Sequence, residues 1–446
     1  MAKRLLPVLQ CFIAVLIAGN LLLSQETSPA VTPAKTAKTP TSAIAKPPGA
    51  IYKEAMHPLD VVRGSMDNWS DAELGALDVG IHKALEFCTQ AKPQDYSGDD
   101  LYDLARLCSL GQDWKNADAA AVQYIASGQE NHRTQAHVIR MNAQLQLHSI
   151  DAASLTAFDI VHKLPYDAEA AYAIRYVKNY LEQAGDPLAF AIADEENYPL
   201  LQALRQNVPL KATHGDAVIA LGSLYESGMQ LAFLRRYSGD EDGATLTVAA
   251  LDSALADSSK LSAEDRELIE GVRTRYNLLG NRLPELNAIQ SFQSPLAKAR
   301  IDSNFGIATV LVLFPDWCIQ CKKMMKSLTA FAVVNGDVPI HAYGLMFAES
   351  PKDPKDAKTP VYQDLRGTAT LLVPPETAKK FVASDYPLGI VVDRDGLVRF
   401  IGTLPLDAFN GDGYAGKIIT RMTTTAPTCK KGDARPGCQK PAAEKN

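Results

Sequence analysis

The chain has little of what would assign it quickly. Aromatic residues make up 7% and tryptophan occurs three times. Lys and Arg are interspersed among Asp and Glu, and the net charge is −6. No basic stripe with interleaved aromatics runs through it, which excludes the usual electrostatic footprint of a nucleic-acid binder. It has one Cys-x-x-Cys and neither a second such pair nor paired histidines, so a complete zinc site cannot be assembled from spacing alone. Residues 1–24 apart, no long apolar run is present, and residues 25–50 carry no hydrophobic period at all.

What is present divides the chain. At 446 residues it exceeds one ordinary core, so two or three domains are expected. Lys3 and Arg4 followed by the apolar segment Leu5 to Leu23 read as an export signal, with two alternatives open: a cleaved leader or a retained membrane anchor. Pro7, Gln10, Gly19 and Asn20 favour the leader. Cys11 lies mid-segment without small residues before it, which argues against lipid attachment. Residues 25–60, rich in Pro, Thr, Ala, Ser and Lys over 25–50, are expected to be a disordered linker. A tail, 426–446, follows the last expected element.

Six cysteines remain beyond the signal, and they fall into local pairs: Cys88 with Cys108, Cys318 with Cys321, and Cys429 with Cys438. An even count in an exported chain suggests an oxidising compartment, although six cysteines allow about 15 connectivities. Cys88–Cys108 reads as a staple across neighbouring helices, and Cys429–Cys438 as a clasp on a polar loop.

Residues 61–290 are expected to be α-helical, with apolar and alanine positions recurring at three and four. Breaks stand at Ser97-Gly98-Asp99-Asp100, Gly111-Gln112-Asp113, Ser127-Gly128-Gln129, Leu164-Pro165 and Ala184-Gly185-Asp186. Trp114–Ala121 is echoed 36 residues later by Ile150–Ala157. The run Lys163-Leu164-Pro165-Tyr166-Asp167-Ala168-Glu169-Ala170-Ala171-Tyr172 resembles the junction between tetratricopeptide repeats, over about 95–205. That resemblance implies a concave surface for a protein or peptide; an irregular helical array is the alternative.

From about 291 to 425 strands alternate with helices. Ala308–Phe314 reads as a strand, Cys318–Val334 as a helix with Met324, Met325, Leu328 and Phe331 on its buried face, and Val338–Phe347 as a second strand. A short helix is expected at Thr377–Ala383, then strands Leu388–Asp393 and Leu397–Gly402 around Asp393-Arg394-Asp395-Gly396, and a last helix at Tyr414–Met422. The stretch Phe314-Pro315-Asp316-Trp317-Cys318-Ile319-Gln320-Cys321-Lys322-Lys323 carries the most specific chemistry in the chain. Two thiols three residues apart at a helix start can form a disulfide with little backbone movement. The helix end favours the thiolate of the first.

That stretch, with Tyr386-Pro387-Leu388-Gly389-Ile390-Val391-Val392-Asp393-Arg394-Asp395-Gly396, resembles the two signature segments of the thioredoxin superfamily. The branch is that of the exported TlpA/ResA-like thiol-disulfide oxidoreductases. The fold class so expected is multidomain: an all-α, tetratricopeptide-like domain followed by an α/β thioredoxin-like domain. The resemblance implies that Cys318 is the attacking thiolate and Cys321 the resolving one. It implies that Trp317 shields the site and that Pro387 is a cis-proline keeping the neighbouring backbone free for substrate. It also implies a location in the bacterial periplasm or at the outer face of the cytoplasmic membrane, protein thiol/disulfide clients, a redox partner protein, and no cofactor or metal. Four features depart from the pattern. Ile319-Gln320 lacks the proline common between the cysteines, Val312 stands where a buried acid serves as proton acceptor, Met324 stands where a glutamate follows Cys-Lys-Lys, and bulky Tyr386 precedes Pro387. Water, Asp316, Lys322 or a more distant group is then left to handle the proton. Those departures keep a rival reading open, a helical-repeat binding scaffold with a degenerate thioredoxin-like domain. Met324 and Met325 beside the cysteines read as core at helical spacing rather than as copper ligands.

Overall fold

The computed structural model describes residues 46–421 apart from short internal stretches (65–69, 214–215, 256–258, 260, 293–299, 302–305, 335–339, 350–364, 382–385, 406–407, 411–415 and 418–420). The export signal, Cys11, Cys429–Cys438 and the tail therefore lie outside the described residues, as does most of the helix expected at Tyr414–Met422.

The described residues gather into two compact units. One contains the described residues up to Val177 with Leu210–Ile219, the other Lys178–Pro209 with the described residues from Ala220 onward. The division falls inside a helix, whereas the change from helices to strands comes after residue 276.

The first unit is built from α1 (Pro48–Val62), α2 (Asp71–Cys88), α3 (Asp99–Leu110), α4 (Trp114–Ala126), α5 (Arg133–Gln146), α6 (Ile150–Lys163) and the first part of α7 (Ala168–Ala184). Helix α1 begins inside the segment expected to be linker. Pro48 at its first turn is compatible with helix, and Tyr52, Ala55, Met56 and Leu59 supply a buried stripe. The short strands β1 (Leu210–Lys211) and β2 (Val218–Ile219) pair antiparallel in this unit, a hairpin that the helical reading of 61–290 does not anticipate. Helix starts at Asp99, Arg133 and Ala168 lie 34 and 35 residues apart. Small residues make close approach at the crossings: Ala117, Ala120, Ala121, Ala136, Ala143, Ala153 and Ala157 are fully buried. Each expected break falls at a helix boundary, with Asp99 and Asp100 opening α3 and Ala184 ending α7. Helix α2 opens on a capping box, Glu73 N–H donating to Ser70 Oγ and Ser70 N–H to Glu73 Oε2. Its last residue, Cys88, forms a disulfide with Cys108 of α3, both sulfurs fully buried.

The second unit holds the rest of α7 with α8 (Leu188–Gln206), α9 (Leu221–Ser238), α10 (Glu241–Ala254) and α11 (Ala263–Tyr276). Its strands are β3 (Leu286–Asn287), β4 (Gln290–Ser291), β5 (Arg300–Ile301), β6 (Ala308–Pro315), β7 (Ile340–Phe347), β8 (Thr370–Leu372), β9 (Leu388–Val392) and β10 (Val398–Thr403). Two further helices are α12 (Ile319–Val334) and α13 (Pro375–Lys379). The main sheet runs β10-β9-β6-β7-β8-β4. Strands β6, β7 and β8 are parallel, and β9 runs antiparallel to both β6 and β10. All eight residues of β6 are buried, as befits the central strand of a sheet covered on both faces. Strands β3, β4, β5 and β8 lack a long apolar run, and the sequence reading passed over them.

One glycine lets this sheet accept its helix, and a second makes room for Leu404. Val312 faces Gly344 of β7 and Gly389 of β9. A Cβ on Gly344 would lie 2.2 Å from Met325 Sδ, and one on Gly389 would lie 2.6 Å from the Leu404 side chain. Helix α12 buries Met324, Met325 and Leu328, while Phe331 is half-buried with its ring 5.6 Å from Phe409.

Among the described residues no helix is long and apolar enough to cross a membrane.

Two buried polar sites have measurable consequences. Lys178 and Glu196 form an ion pair with both side chains fully inaccessible. Lys178→Met leaves a buried carboxylate unpaired, and a loss of about 3–5 kcal/mol is expected in urea unfolding at neutral pH. In the first unit, burial, aided by Asp167, pushes the Glu169 carboxyl up from 4.5 to about 7, with Gln135 Nε2 donating to it at 2.7 Å. A raised carboxyl binds its proton more tightly in the folded chain. The stability it contributes is therefore full below pH 4.5 and fades as pH rises through about 7. Glu169→Gln should flatten the fall in stability across that window, read from unfolding midpoints against pH.

Candidate active site

The apolar strand β6 ends at Pro315. Two residues form a turn, Asp316 N–H donating to Phe347 O at 2.8 Å and Cys318 N–H to Pro315 O at 3.1 Å. Helix α12 starts at Ile319, one residue later than the sequence suggests, because Cys318 occupies the position just outside it. There its sulfur does what a capping Ser or Asp does: it accepts the Cys321 N–H at 3.2 Å. The Cys318 carbonyl starts the helical ladder, receiving Lys322 N–H at 3.4 Å. The two cysteines are joined as a disulfide with Cα atoms 5.4 Å apart.

Their exposures differ slightly. Both are buried, Cys321 at 0% exposed and Cys318 at 7%, so of the two only Cys318 has any exposed surface. The cap position places its sulfur against helix N–H groups, an arrangement that favours a thiolate once the disulfide opens.

The tyrosine–proline bond 386–387 is cis. Because β9 runs antiparallel to β6, with Leu388 opposite Leu313, Pro387 stands beside the end of β6 from which the cysteine turn emerges. Proline has no N–H, so no backbone donor at 387 competes for groups there; its carbonyl accepts Leu404 N–H at 2.8 Å. The Tyr386 ring packs 5.4 Å from that of Phe347, whose carbonyl holds Asp316. Sequence reasoning missed this pair; the bulky residue before Pro387 was its one visible signal. Trp317 is half-buried. Its Nε1 is buried and has no hydrogen-bond partner among the described residues. The structure thus brings together Trp317, Cys318 and Cys321 on one turn and sets Pro387 at the same end of the sheet.

Val312 is 0% exposed and Met324 1%, and neither side chain has a group that accepts a proton. Asp316 Oδ1 accepts Glu349 N–H at 3.3 Å. Among the described residues no group of three or more His, Cys, Asp or Glu side chains could hold a metal ion.

The fold of this module is thioredoxin-like. Its sheet order, the helix springing from the central strand behind a Cys-x-x-Cys turn, and the adjacent cis-proline agree on it. No family model matches the chain, and no curated protein does. Solved structures similar to it include the thioredoxin domain of a thiol-disulfide oxidoreductase from Bacteroides vulgatus, 15% identical, with TM-score 0.25, covering 32% of this chain and 97% of that one. StoA from Bacillus subtilis is 16% identical, with TM-score 0.22, covering 28% of this chain and 94% of that one. A thioredoxin-like protein from Bacteroides caccae is 8% identical, with TM-score 0.30, covering 68% of this chain and 93% of that one. At such identities and scores the functional reading rests on the geometry of this chain.

The capping role of Cys318 can be isolated from its redox role. In a Cys321→Ala background, Cys318→Ser should keep the cap and Cys318→Ala lose it. The serine form is expected to be more stable by about 1 kcal/mol in denaturant unfolding.

Proposed function

We propose that this protein is an exported thiol-disulfide oxidoreductase of the thioredoxin kind, exchanging dithiol for disulfide through Cys318 and Cys321. The observation that carries the reading is the helix-capping position of the more exposed sulfur over a fully buried partner. In the reducing direction the Cys318 thiolate attacks a client disulfide, forming a Cys318–client bond and releasing one client sulfur as thiolate. The Cys321 thiol, one helical turn deeper, gives up its proton and attacks Cys318 Sγ. That step closes the 318–321 disulfide and releases the second client thiolate. Two electrons pass to the client and two protons complete its thiols; the oxidising direction is the same sequence reversed. Asp316, Lys322 or water takes the Cys321 proton, since Val312 and Met324 cannot.

The domain plan proposed is the sequence-based one: a leader or anchor at 1–24, a helical domain over 61–290 that holds clients, and the redox module over 291–425. The site of action proposed is the bacterial periplasm or the outer face of the cytoplasmic membrane, where residues 5–23, if retained, would tether it. A buried disulfide at 88–108 suits an oxidising compartment. The apolar Val312 and Met324 favour one rival, a helical scaffold whose redox module no longer turns over.

Cys318→Ala should lower insulin reduction about a hundredfold or more. Cys321→Ser should instead accumulate a client joined to Cys318, identifiable by mass spectrometry. Unchanged insulin reduction in Cys318→Ala, or client capture that survives loss of both cysteines, would transfer the function to the scaffold reading.

A further inference from the structure

Away from the cysteines, the second unit encloses a cavity of about 440 Å³ between the end of α7, α8, α9 and β10. That is within the usual range for a small-molecule site. Four rings, Phe190, Phe233, Tyr237 and Phe400, stand in its wall, with Glu182, Asp186 and Arg421 as its charged groups.

We propose that this cavity binds a small organic cation with an aromatic or branched apolar body, its ammonium group paired with Glu182. The site lies apart from the cysteine turn, and the proposal stands whether or not thiol exchange does.

Three observations carry it. First, the rings already attract cations: the Arg421 guanidinium lies 4.3 Å from the Tyr237 centroid and that of Arg235 5.7 Å from Phe190. Such faces favour ammonium groups most when water is excluded. Second, the buried charges around Glu182 are otherwise matched. Lys178, one turn earlier on α7, is committed to Glu196. Asp186, the other acid on the wall, uses Oδ1 to receive Leu188 N–H at 2.9 Å. Among the described residues the hydrogen-bond partner of Glu182 is neutral, the Gln230 amide, which also donates to Asn179 Oδ1 at 3.0 Å. Third, Glu182 is held in a water-poor setting: burial pushes its carboxyl up to about 7, against the pull of Gln230 and Lys178. A ligand ammonium would supply the counter-charge that the protein leaves out. Arg421 sits at the rim over Tyr237 and would serve an anionic ligand instead, so head-group charge decides the matter.

The test is isothermal titration calorimetry on the full chain with three probes of one body: phenethylamine, 2-phenylethanol and phenylacetate. Phenethylamine should bind saturably, at least about tenfold tighter than either of the others. Glu182→Gln keeps the shape and the Gln230 contact and should abolish that preference. Tyr237→Ala, at a residue 41% exposed and so tolerant of truncation, should weaken phenethylamine binding by about tenfold. The proposal is overturned by an absence of saturable phenethylamine binding, by phenylacetate binding as tightly or more tightly, or by amine affinity unchanged in Glu182→Gln.

Discussion

One contact organises the redox module: the sulfur of Cys318 receiving the Cys321 N–H where β6 gives way to α12. A helix start leaves amide hydrogens without partners. Here a side chain that can carry negative charge answers one of them, and the group that satisfies the helix is also the group that can react. Opening the disulfide leaves the sulfur in the same field. Stability of the first turn and reactivity of the thiol are thus two consequences of one position.

The rest of the sheet holds that position still. Strand β6 is buried along its whole length, and it is flanked at Val312 by glycines on both sides, one of which gives Met325 room to lie close. The antiparallel β9 delivers Pro387 to the same sheet end, and the Asp316–Phe347 backbone bond fixes the turn between strand and helix. Apolar packing beneath the cysteines has a chemical cost as well. With valine at 312 and methionine at 324, Cys321 has no carboxylate at either place, so in the proposed exchange its proton leaves by a less direct route.

Much of this could be read from residues. The run from Thr309 to Phe314 could be little other than a buried strand, and Asp395-Gly396 between two apolar runs marked the β9–β10 hairpin. Cys88 and Cys108 pair as the local grouping of the cysteines suggested. Short pairings were illegible because their stability is not local. Strand β4 is two residues that pair with β8, about eighty positions later. Helix α1 was hidden by a Pro/Lys-rich lead that masks the stripe of Tyr52, Met56 and Leu59. The capping role of Cys318 escaped because a cysteine is not an ordinary cap residue. Glu182 and its rings are drawn from α7, α8, α9 and β10, and no sequence spacing connects them.

The measurement that bears most directly on the account is native-state reduction by mild dithiothreitol followed by alkylation and mass analysis of each cysteine pair. Within one molecule, Cys88–Cys108 is an internal control, both its sulfurs being wholly inaccessible. The account predicts that the 318–321 pair gains two alkyl groups while 88–108 stays closed, and that Cys318 reacts before Cys321. A 318–321 pair that stays oxidised until the protein unfolds would contradict it.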